Sequence, residues 1–376
     1  MLEDKLSFTI LVIFGLIILL QTVYYYVLYA RFAFSRKKKA VAMQQVPVSV
    51  IVVIKDAANS LLKFMPRIMS QQYSQFELVI VNDHSHDLSE LLVKEYQSQY
   101  ANIKLVNLDS AVSTIRGNKF ALSMGVRCAS YEHLLFTDVE CSPTSMHWLE
   151  KMAENFVSQK QIVLGYSSYD KRNSLFNRLL HFDNLHNAIQ YFSLAMCRST
   201  YRGDLRNMAF TKTLFYDQKG FASHNHLSCG EEDIFVSRAS NKQNTAVEFA
   251  QEAFTITHNK VPYSYWKDHK MGLYYTRHLN TMKNRFLLGL YAIVNLLFYV
   301  GLALAIWATA QNPLFLWIVL GIAALRVLSQ YLVYGFAAHK LNEKQVIPFL
   351  LLYDIIFAVM NPLYFLSAHI YHHKFK

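Results

Sequence analysis

The chain has few of the residues that build metal or disulfide frameworks. Its 376 residues include only four cysteines, Cys128, Cys141, Cys197 and Cys229, and no two of them form a C-x-x-C pair. This spacing indicates neither a structural zinc site nor a disulfide framework. Acidic residues are also scarce, since 26 Asp and Glu stand against 37 Lys and Arg, giving a net charge of +11. No signature of a nucleic-acid-binding module accompanies that charge, so we expect no nucleic-acid partner.

Charged residues of either sign make up only 17% of the chain, whereas apolar residues make up 53% and are concentrated at its two ends. No charged residue occurs over residues 6–28. A helix of that length, at ~1.5 Å per residue, can cross a hydrocarbon core of ~30 Å. Three further apolar segments follow the middle of the chain, at residues 286–310, 314–338 and 346–368. The sequence therefore predicts an integral, multi-pass membrane protein in contact with membrane lipids.

Two charged residues interrupt the C-terminal apolar segments. Arg326 lies in the third of the four segments and Asp354 in the fourth. Either charge is costly in lipid, so we expect each to face another helix or water. Asn361 and Pro362 in the fourth segment predict a helix that is kinked, or one that enters the membrane without crossing it.

Basic residues directly follow the first apolar segment. They are Arg31, Arg36, Lys37, Lys38 and Lys39. Such a cluster places its side of the membrane in the cytoplasm, so we expect a cytoplasmic middle domain and a plasma, or inner, membrane location. A cleavable signal peptide is the alternative, but it needs a positively charged region before the apolar run and a small-residue cleavage site after it. The sequence meets neither condition, which favours an uncleaved anchor.

The middle of the chain alternates short β-branched runs with helical patterns. The runs at 48–54, 76–81, 103–108 and 134–137 have the composition of strands covered on both faces. Helical patterns separate them at 60–72, 91–100 and 118–129. This alternation predicts an α/β domain with right-handed crossovers and a largely parallel sheet.

Acidic side chains follow two of the predicted strands. Asp83 ends the second strand, and Asp138 and Glu140 end the fourth. Ligands of open α/β sheets bind beyond the carboxyl ends of the strands, where carboxylates can hold Mg²⁺ or Mn²⁺ together with phosphate oxygens. A single carboxylate at such a position can instead form a turn or cap a helix.

Two further groups fit chemistry on a phosphate-carrying substrate. Lys119 opens a helix, where its ammonium could contact phosphate or remain solvated. The run Gly230–Asp233 places three carboxylates, Glu231, Glu232 and Asp233, before a predicted helix. One of them could be a general base on an acceptor hydroxyl, although acidic residues also stabilise a helix N-terminus through its dipole.

Residues 47–280 resemble the family 2 glycosyltransferases, which are inverting enzymes of the GT-A, Rossmann-like, nucleotide-sugar-binding fold. The similar segments, in family order, are Pro47–Val53, Val81–Asp87, Lys119 with Ala121, Leu122 and Gly125, Phe136–Glu140 with Pro143, Gly203 with Asn207–Phe210, Gly220–Phe221, and Gly230–Asp233. Each motif is modest alone, whereas their order is specific. The resemblance implies a nucleotide-sugar donor and a divalent cation, Mg²⁺ or Mn²⁺.

The resemblance also implies residue roles. Asp83 would contact the nucleotide, and Lys119 the uracil or phosphate. Asp138 and Glu140 would bind the metal and the diphosphate. Asp233 would be the catalytic base, with Glu232 as the runner-up because three consecutive acids leave the register open.

The sequence departs from the family at several positions. The first strand usually ends in Asn-Glu, whereas here Asp56 is the available carboxylate, and Glu140 replaces an Asp. The Gln-x-x-Arg-Trp motif of processive polysaccharide synthases is absent before the C-terminal segments. Residues that could close over the diphosphate there are Trp266, Lys270, Arg277 and His278. A basic aromatic stretch at that place is more typical of an interfacial anchor.

The domain boundaries follow from these patterns. We expect an anchor at 1–30, a basic linker at 31–46, a GT-A domain at 47–262, an interfacial segment at 263–285 and a membrane region at 286–376 with two or three crossings. The predicted reaction is a metal-assisted single displacement onto a hydroxyl of a lipid-linked or glycan acceptor. A processive polysaccharide synthase and a catalytically degenerate membrane scaffold are the alternatives.

Overall fold

The computed structural model describes residues 2–37, 45–108, 117–157 and 159–375. The strands are β1 (Val48–Ile54), β2 (Phe76–Asn82), β3 (Ile103–Asn107), β4 (His133–Thr137), β5 (Cys141–Pro143), β6 (Ile162–Leu164), β7 (Ser167–Tyr169), β8 (Asn207–Thr211), β9 (Thr245–Val247) and β10 (Thr255–Thr257). The helices are α1 (Leu2–Val23), α2 (Ala30–Ala33), α3 (Ala58–Met69), α4 (Ser89–Gln99), α5 (Lys119–Cys128), α6 (Trp148–Ala153), α7 (Leu175–Met196), α8 (Lys212–Asp217), α9 (Ile234–Ala239), α10 (Tyr263–Thr276), α11 (Met282–Thr309), α12 (Pro313–Lys340) and α13 (Leu350–Ile370). Part of the predicted basic linker, including Lys38 and Lys39, lies outside the described residues.

The central sheet has seven strands in the order β3-β2-β1-β4-β8-β6-β9. Strands β1 to β4 are mutually parallel, and α3, α4 and α5 connect them, so the predicted alternation is confirmed there. Strand β8 runs antiparallel to both β4 and β6, while the other six strands share one direction, so the sheet is largely parallel with one reversed strand. The long helix α7 precedes β8 in the chain. Antiparallel strands do not need the crossover connection that parallel strands require.

A smaller sheet extends the carboxyl end of the central sheet. Its order is β5-β10-β7, with β5 and β10 antiparallel and β10 and β7 parallel. Because β5 begins at Cys141, only residues 138–140 separate it from the end of β4. The small sheet therefore fixes the turn that carries the acidic residues after β4.

Four helical segments are long and apolar enough to cross a membrane. They cover Phe8–Ala33, Met282–Thr309, Pro313–Lys340 and Lys344–Ile370. Each coincides with one of the segments that the sequence predicts, and the ends differ by a few residues. Their outward faces are apolar, as the exposed Leu16, Ile293, Trp317 and Leu352 show.

The two charged residues of these segments bind each other inside the helix bundle. Arg326 Nη2 lies 3.0 Å from Asp354 Oδ2. Arg326 also donates to Gln21, Asn295 and Gln330, at 2.6, 2.8 and 2.5 Å. These residues come from α1, α11, α12 and α13, so one polar cluster joins all four helices. The prediction that each charge faces another helix is confirmed.

Helix α13 has no break at Pro362 and continues from Leu350 to Ile370. The segments that flank it both contact the middle domain. Before the helix, Gln345 Nε2 lies 3.3 Å from His181 Nδ1. After it, Ser228 N donates to Phe375 O at 3.0 Å. A helix of 21 residues is about 31 Å long, so contacts at both ends show that α13 lies along the domain.

Candidate active site

A cavity of about 700 Å³ lies at the carboxyl end of the central sheet. Its walls include the loop before α5, the end of β4, α7 with the loop after it, the acidic run before α9, and α10. The segment that follows α13 closes one side through Lys374 and Phe375. Parallel strands bring the predicted polar residues to this edge, and the membrane helices lie next to it.

Asp138 lines the cavity directly after β4. Its Oδ1 accepts a hydrogen bond from Glu140 N at 2.9 Å, which holds the turn. Desolvation by the surrounding protein raises the pKa of Asp138, and the nearby Glu140 charge raises it further. A cation placed beside Asp138 would remove this penalty. Glu140 itself is turned away from the cavity, and its Oε1 accepts from Asn259 Nδ2 at 2.7 Å.

Glu232 faces the same cavity, where Arg202 and His269 hold it. Its Oε1 lies 2.8 Å from Arg202 Nη2 and 3.4 Å from His269 Nε2. Burial alone would raise the pKa of Glu232, but the Arg202 and His269 charges outweigh burial and the net pKa is lowered. The carboxylate is therefore ionised at neutral pH.

Asp233 is bonded within the protein through both of its oxygens. Its Oδ1 accepts from Ile234 N at 2.8 Å as the N-cap of α9, and its Oδ2 accepts from Thr276 Oγ1 of α10. Desolvation raises the pKa of Asp233 to about 6, with a further contribution from Glu232. Adjacent carboxylates thus have different environments, because Glu232 faces Arg202 and His269, whereas Asp233 faces a hydroxyl and a backbone amide.

Lys119 is fully buried beneath the acidic run. Its Nζ donates to Leu227 O at 2.7 Å and lies 3.2 Å from Glu231 Oε1. The loop before α5 approaches the same carboxylate closely. A Cβ on Gly117, whose φ is +72°, would lie 2.8 Å from Glu231 Oε1. Lys119 therefore positions the acidic run, and a phosphate contact would require it to give up these partners.

Two of the four predicted closure residues hold α10 against α7. Trp266 Nε1 donates to Asp183 Oδ2 at 2.8 Å, and Lys270 Nζ lies 2.5 Å from Asp183 Oδ1. Both side chains line the cavity, yet they are only 4% and 6% exposed. The sequence favours an interfacial anchor here, whereas the structure buries Trp266 and Lys270. The reason is that Asp183, which is distant in sequence, binds both side chains. Arg277 also lines the cavity, whereas His278 does not.

Comparison with known proteins agrees with this geometry. A sequence model of glycosyl transferase family 2 matches residues 49–217. The chain carries a family 2 glycosyltransferase domain. No curated protein sequence matches the chain.

Two solved structures resemble the glycosyltransferase. A mannosyltransferase from Pyrobaculum calidifontis, in complex with GDP-Man and Mn²⁺, has a TM-score of 0.55 at 17% identity and covers 90% of this chain and 98% of its own. TarS from S. aureus, in complex with UDP-GlcNAc, has a TM-score of 0.45 at 16% identity and covers 81% of this chain and 91% of its own. At this level of identity, the first likeness shows the fold alone, that of a GT-A domain.

The carboxylates of the glycosyltransferase could hold a metal ion only together with substrate. No group of three or more His, Cys, Asp or Glu converges within the described part of the chain. Asp204 lies in the cavity near Asp138, but Arg206 binds both of its oxygens, at 3.0 and 2.6 Å. Asp138 remains available, and Glu140 is two residues away. Magnesium often takes one or two carboxylates and completes its shell with phosphate oxygens and water, so the donor set fits.

Asp56 and Asp83 of the glycosyltransferase lie together, outside the residues that line the cavity. Asp56 has a φ of +47°, and its Oδ1 accepts from His86 N at 2.7 Å. Asp83 Oδ1 lies 2.7 Å from His84 Nδ1. The two loops after β1 and β2 are thereby joined at the strand ends. Their predicted contact with the nucleotide stays a prediction, and residues 109–116 of the loop after β3 lie outside the described part.

Sequence reasoning missed most of the cations that shape the cavity. Arg202 and Arg206 follow α7, and Arg206 lies over the ring of Tyr169 at 4.4 Å. His269 projects from α10 toward Glu232. The sequence does contain a sign of these residues, because the segment Arg202–Arg206 carries three charges between two apolar stretches. Its relevance depends on α7 and α10 facing one another, which no local pattern predicts.

Proposed function

We propose that this protein is a membrane-bound inverting glycosyltransferase. It transfers one sugar from a nucleoside diphosphate sugar to a hydroxyl of an acceptor held at the membrane. One observation carries the proposal: Asp138 at the strand end and Glu232 at the start of α9 line the same cavity, beside the membrane helices. The family match of residues 49–217 supports the class of reaction.

The donor end of the proposed site is at Asp138. The mannosyltransferase of similar fold binds GDP-Man with Mn²⁺, which supports a divalent cation here. When bound, such an ion would neutralise the diphosphate that leaves. Asp138, with Glu140 nearby, would hold it. The Asp56 and Asp83 loops are the proposed nucleotide contacts, since they lie at the ends of neighbouring strands.

We propose Glu232 as the base, in preference to Asp233. Both carboxylates line the cavity, but Glu232 is 9% exposed, whereas Asp233 is 2% exposed, caps α9 and accepts a hydrogen bond from Thr276. The base removes the proton of the acceptor hydroxyl, whose oxygen forms a bond to the anomeric carbon. The bond from that carbon to the diphosphate oxygen breaks, and the nucleoside diphosphate leaves with the electron pair. Configuration inverts, so an α-linked donor gives a β-linked product.

The proposed membrane arrangement has three crossings. Segments α1, α11 and α12 cross, and α13 lies at the membrane surface. The flanks of α13 contact the domain at His181 and Ser228. Its exposed apolar residues recur at helical spacing on one face: Leu352, Ile355, Val359, Leu363, Leu366 and Ile370. That face would meet lipid while the opposite face packs on the domain. The basic residues after α1 favour a cytoplasmic domain.

A processive synthase is the second candidate, and it keeps one structural argument. The cavity touches the helix bundle through Lys270, Tyr274 and Arg277, which also line a small cavity reaching Asp354. That small cavity has a volume of about 30 Å³, enough for a water molecule but not for a sugar. Single transfer is therefore favoured, and analysis of product length separates the two candidates.

The decisive experiment is donor turnover by the full-length protein in detergent. A panel of nucleotide sugars is offered with Mn²⁺ or Mg²⁺ and then with chelator. The variant Asp138→Asn tests the site, and Asp217→Asn, at an exposed position outside the cavity, is the matched control. We expect metal-dependent nucleoside diphosphate release from one donor, lost in Asp138→Asn and kept in Asp217→Asn.

The same assay can reject the proposal. If no donor binds in a metal-dependent way, the scaffold alternative replaces the enzyme. If release is equal in wild type and in Asp138→Asn, the donor end has been assigned to the wrong residue.

A further inference from the structure

Arg277 is a cation in the cavity without an anionic partner. No hydrogen bond or ion pair of its guanidinium group occurs among the described residues, and its contact is with the ring of Tyr274, at 4.7 Å. Arg277 follows α10 directly and precedes α11 by five residues, so it lies where the site meets the membrane region. It lines both the large cavity and the small cavity of the helix bundle.

The neighbouring cations already have partners. Lys270 binds Asp183 at 2.5 Å, and Arg202 binds Glu232 at 2.8 Å. Asp233 accepts from Ile234 N and Thr276 Oγ1, and no contact between Asp233 and Arg277 occurs among the described residues. No carboxylate among the described residues therefore balances the positive charge of Arg277 on this side of the cavity.

Arg202 keeps one unused donor on the same side. Its Nε is buried and has no hydrogen-bond partner. Burial raises the pKa of Tyr201, and both Arg202 and Arg277 act to lower it, so the two guanidinium groups lie near one tyrosine. Buried donors are normally satisfied, and an unsatisfied one costs ~1–3 kcal/mol. Two guanidinium groups with free donors, close together in a cavity, suit an anion with several oxygens.

The surroundings indicate where such an anion would come from. Lys374, which is exposed, lines the cavity directly after α13. Helix α13 carries an exposed apolar face that includes Leu363, Leu366 and Ile370. A molecule that enters beside α13 would therefore meet apolar surface first and cations next. An amphiphile with an apolar tail and a phosphate headgroup matches this arrangement of apolar and cationic surface.

We propose that Arg277 and Arg202 bind the phosphate of a lipid-phosphate acceptor, whose hydroxyl is presented to Glu232. The inference rests on the proposed function and names its acceptor class. It differs from closure of Arg277 over the donor diphosphate, for which the proposed position in the cavity is beside Asp138. The non-bridging oxygens of that phosphate would supply acceptors for Arg277 and for Arg202 Nε, and a hydroxyl elsewhere on the acceptor would react.

Binding of simple probes to the full-length protein in a non-ionic detergent tests the inference. The probes are dodecyl phosphate, dodecanol and inorganic phosphate. We expect dodecyl phosphate to bind more tightly than either of the others. The variant Arg277→Gln should weaken that binding by about tenfold to a hundredfold, the value of a hydrogen-bonded charge. Arg285→Gln, an exposed arginine of α11 outside the cavity, is the matched control and should bind like wild type.

A second readout separates this inference from the proposed function. Metal-dependent binding of the nucleotide sugar is measured on the same preparations, and Arg277→Gln should leave it within about twofold of wild type. Arg277→Lys, which keeps the charge, should recover part of the dodecyl phosphate affinity, and it serves if the Gln variant unfolds.

Three outcomes would overturn the inference. Equal affinity for dodecyl phosphate and inorganic phosphate would mean a free-anion site. Equal affinity for dodecyl phosphate and dodecanol would mean that the headgroup is not recognised. Loss of donor binding in Arg277→Gln, with lipid-phosphate binding intact, would return Arg277 to the donor diphosphate. Failure of donor binding in wild type would instead reject the proposed function.

Discussion

Two arginines with little exposed surface show how the helix bundle and the cavity differ. Arg326 in the bundle donates from Nε, Nη1 and Nη2 to Gln21, Gln330, Asn295 and Asp354. Arg202 in the cavity pairs with Glu232 through Nη2, whereas its Nε has no partner. Arg277 nearby has a ring contact in place of any ion pair.

The difference separates a structural role from a functional one. A charge in a low-dielectric bundle must be satisfied in the folded chain, since lipid offers no alternative partner. A buried donor in a cavity can remain unsatisfied until a ligand binds, at a cost of ~1–3 kcal/mol that binding recovers. The Arg326 guanidinium is thus satisfied by residues of the four helices, whereas Arg202 Nε, which has no partner among the described residues, fits the proposed substrate site.

The largest expected effect is on catalysis by the cavity. Glu232→Gln keeps the size of the side chain and an acceptor for Arg202 but removes the base. We expect the rate of transfer to fall by about 10²–10⁴-fold, the usual contribution of a general base. Transfer to acceptor is measured under donor saturation, beside a melting curve that should change little. Near wild-type transfer in Glu232→Gln, with loss in Asp233→Asn, would move the base to Asp233.

The next effect concerns stability of the bundle. Arg326→Met leaves Asp354 buried and unpaired, and breaking such a pair costs ~3–5 kcal/mol. We expect a lower melting temperature in detergent, whereas Arg326→Met combined with Asp354→Leu should recover most of the loss. Arg285→Met, at an exposed position, should melt like wild type. If the double variant is no more stable than the single one, the pair is not what limits stability there.

A smaller effect is the pH dependence that Asp233 confers. Because its pKa in the folded protein is raised to about 6, its ionisation opposes folding. Below about pH 4, near the pKa of Asp233 in the unfolded chain, the carboxyl is protonated in both states and costs no stability. Part of the free energy of unfolding is therefore lost as the pH rises from about 4 through about 6. Asp233→Asn removes this loss and should be more stable than wild type at pH 7 by on the order of 2–3 kcal/mol, with no such gain at pH 4. Melting curves across that window check it, and an equal difference at both pH values would contradict it.

The smallest expected effect lies where the bundle joins the catalytic domain. Glu343, in the segment between α12 and α13, accepts from Tyr166, Ser168 and Gln345 and lies 2.7 Å from His181. Glu343→Gln keeps one acceptor and should cost about 1 kcal/mol, near the net value of a hydrogen bond. Calorimetric melting measures it. A cost above that of Arg326→Met would show that this junction, and not the bundle, holds the protein together.

The sequence predicts the first half of the domain closely. β-Branched runs and helical spacing are local properties, so β1 to β4 and the helices between them lie within a few residues of expectation. The antiparallel position of β8 was not predictable, because its partners β4 and β6 lie far away in sequence. The same limit applies to α13, whose apolar composition fits a crossing, while its contacts with His181 and Ser228 place it along the domain.

Sequence by itself determined that Asp138, Glu232 and Asp233 are candidates for chemistry, since they follow buried runs at the edge of a sheet. All three line the cavity, and only the tertiary structure decided which partners hold each of them there. Adjacent residues at a helix start point in different directions, and their partners, Arg202 and Thr276, come from α7's loop and from α10. Burial, pairing and the free charge of Arg277 are properties of contacts between distant segments, which no local pattern contains.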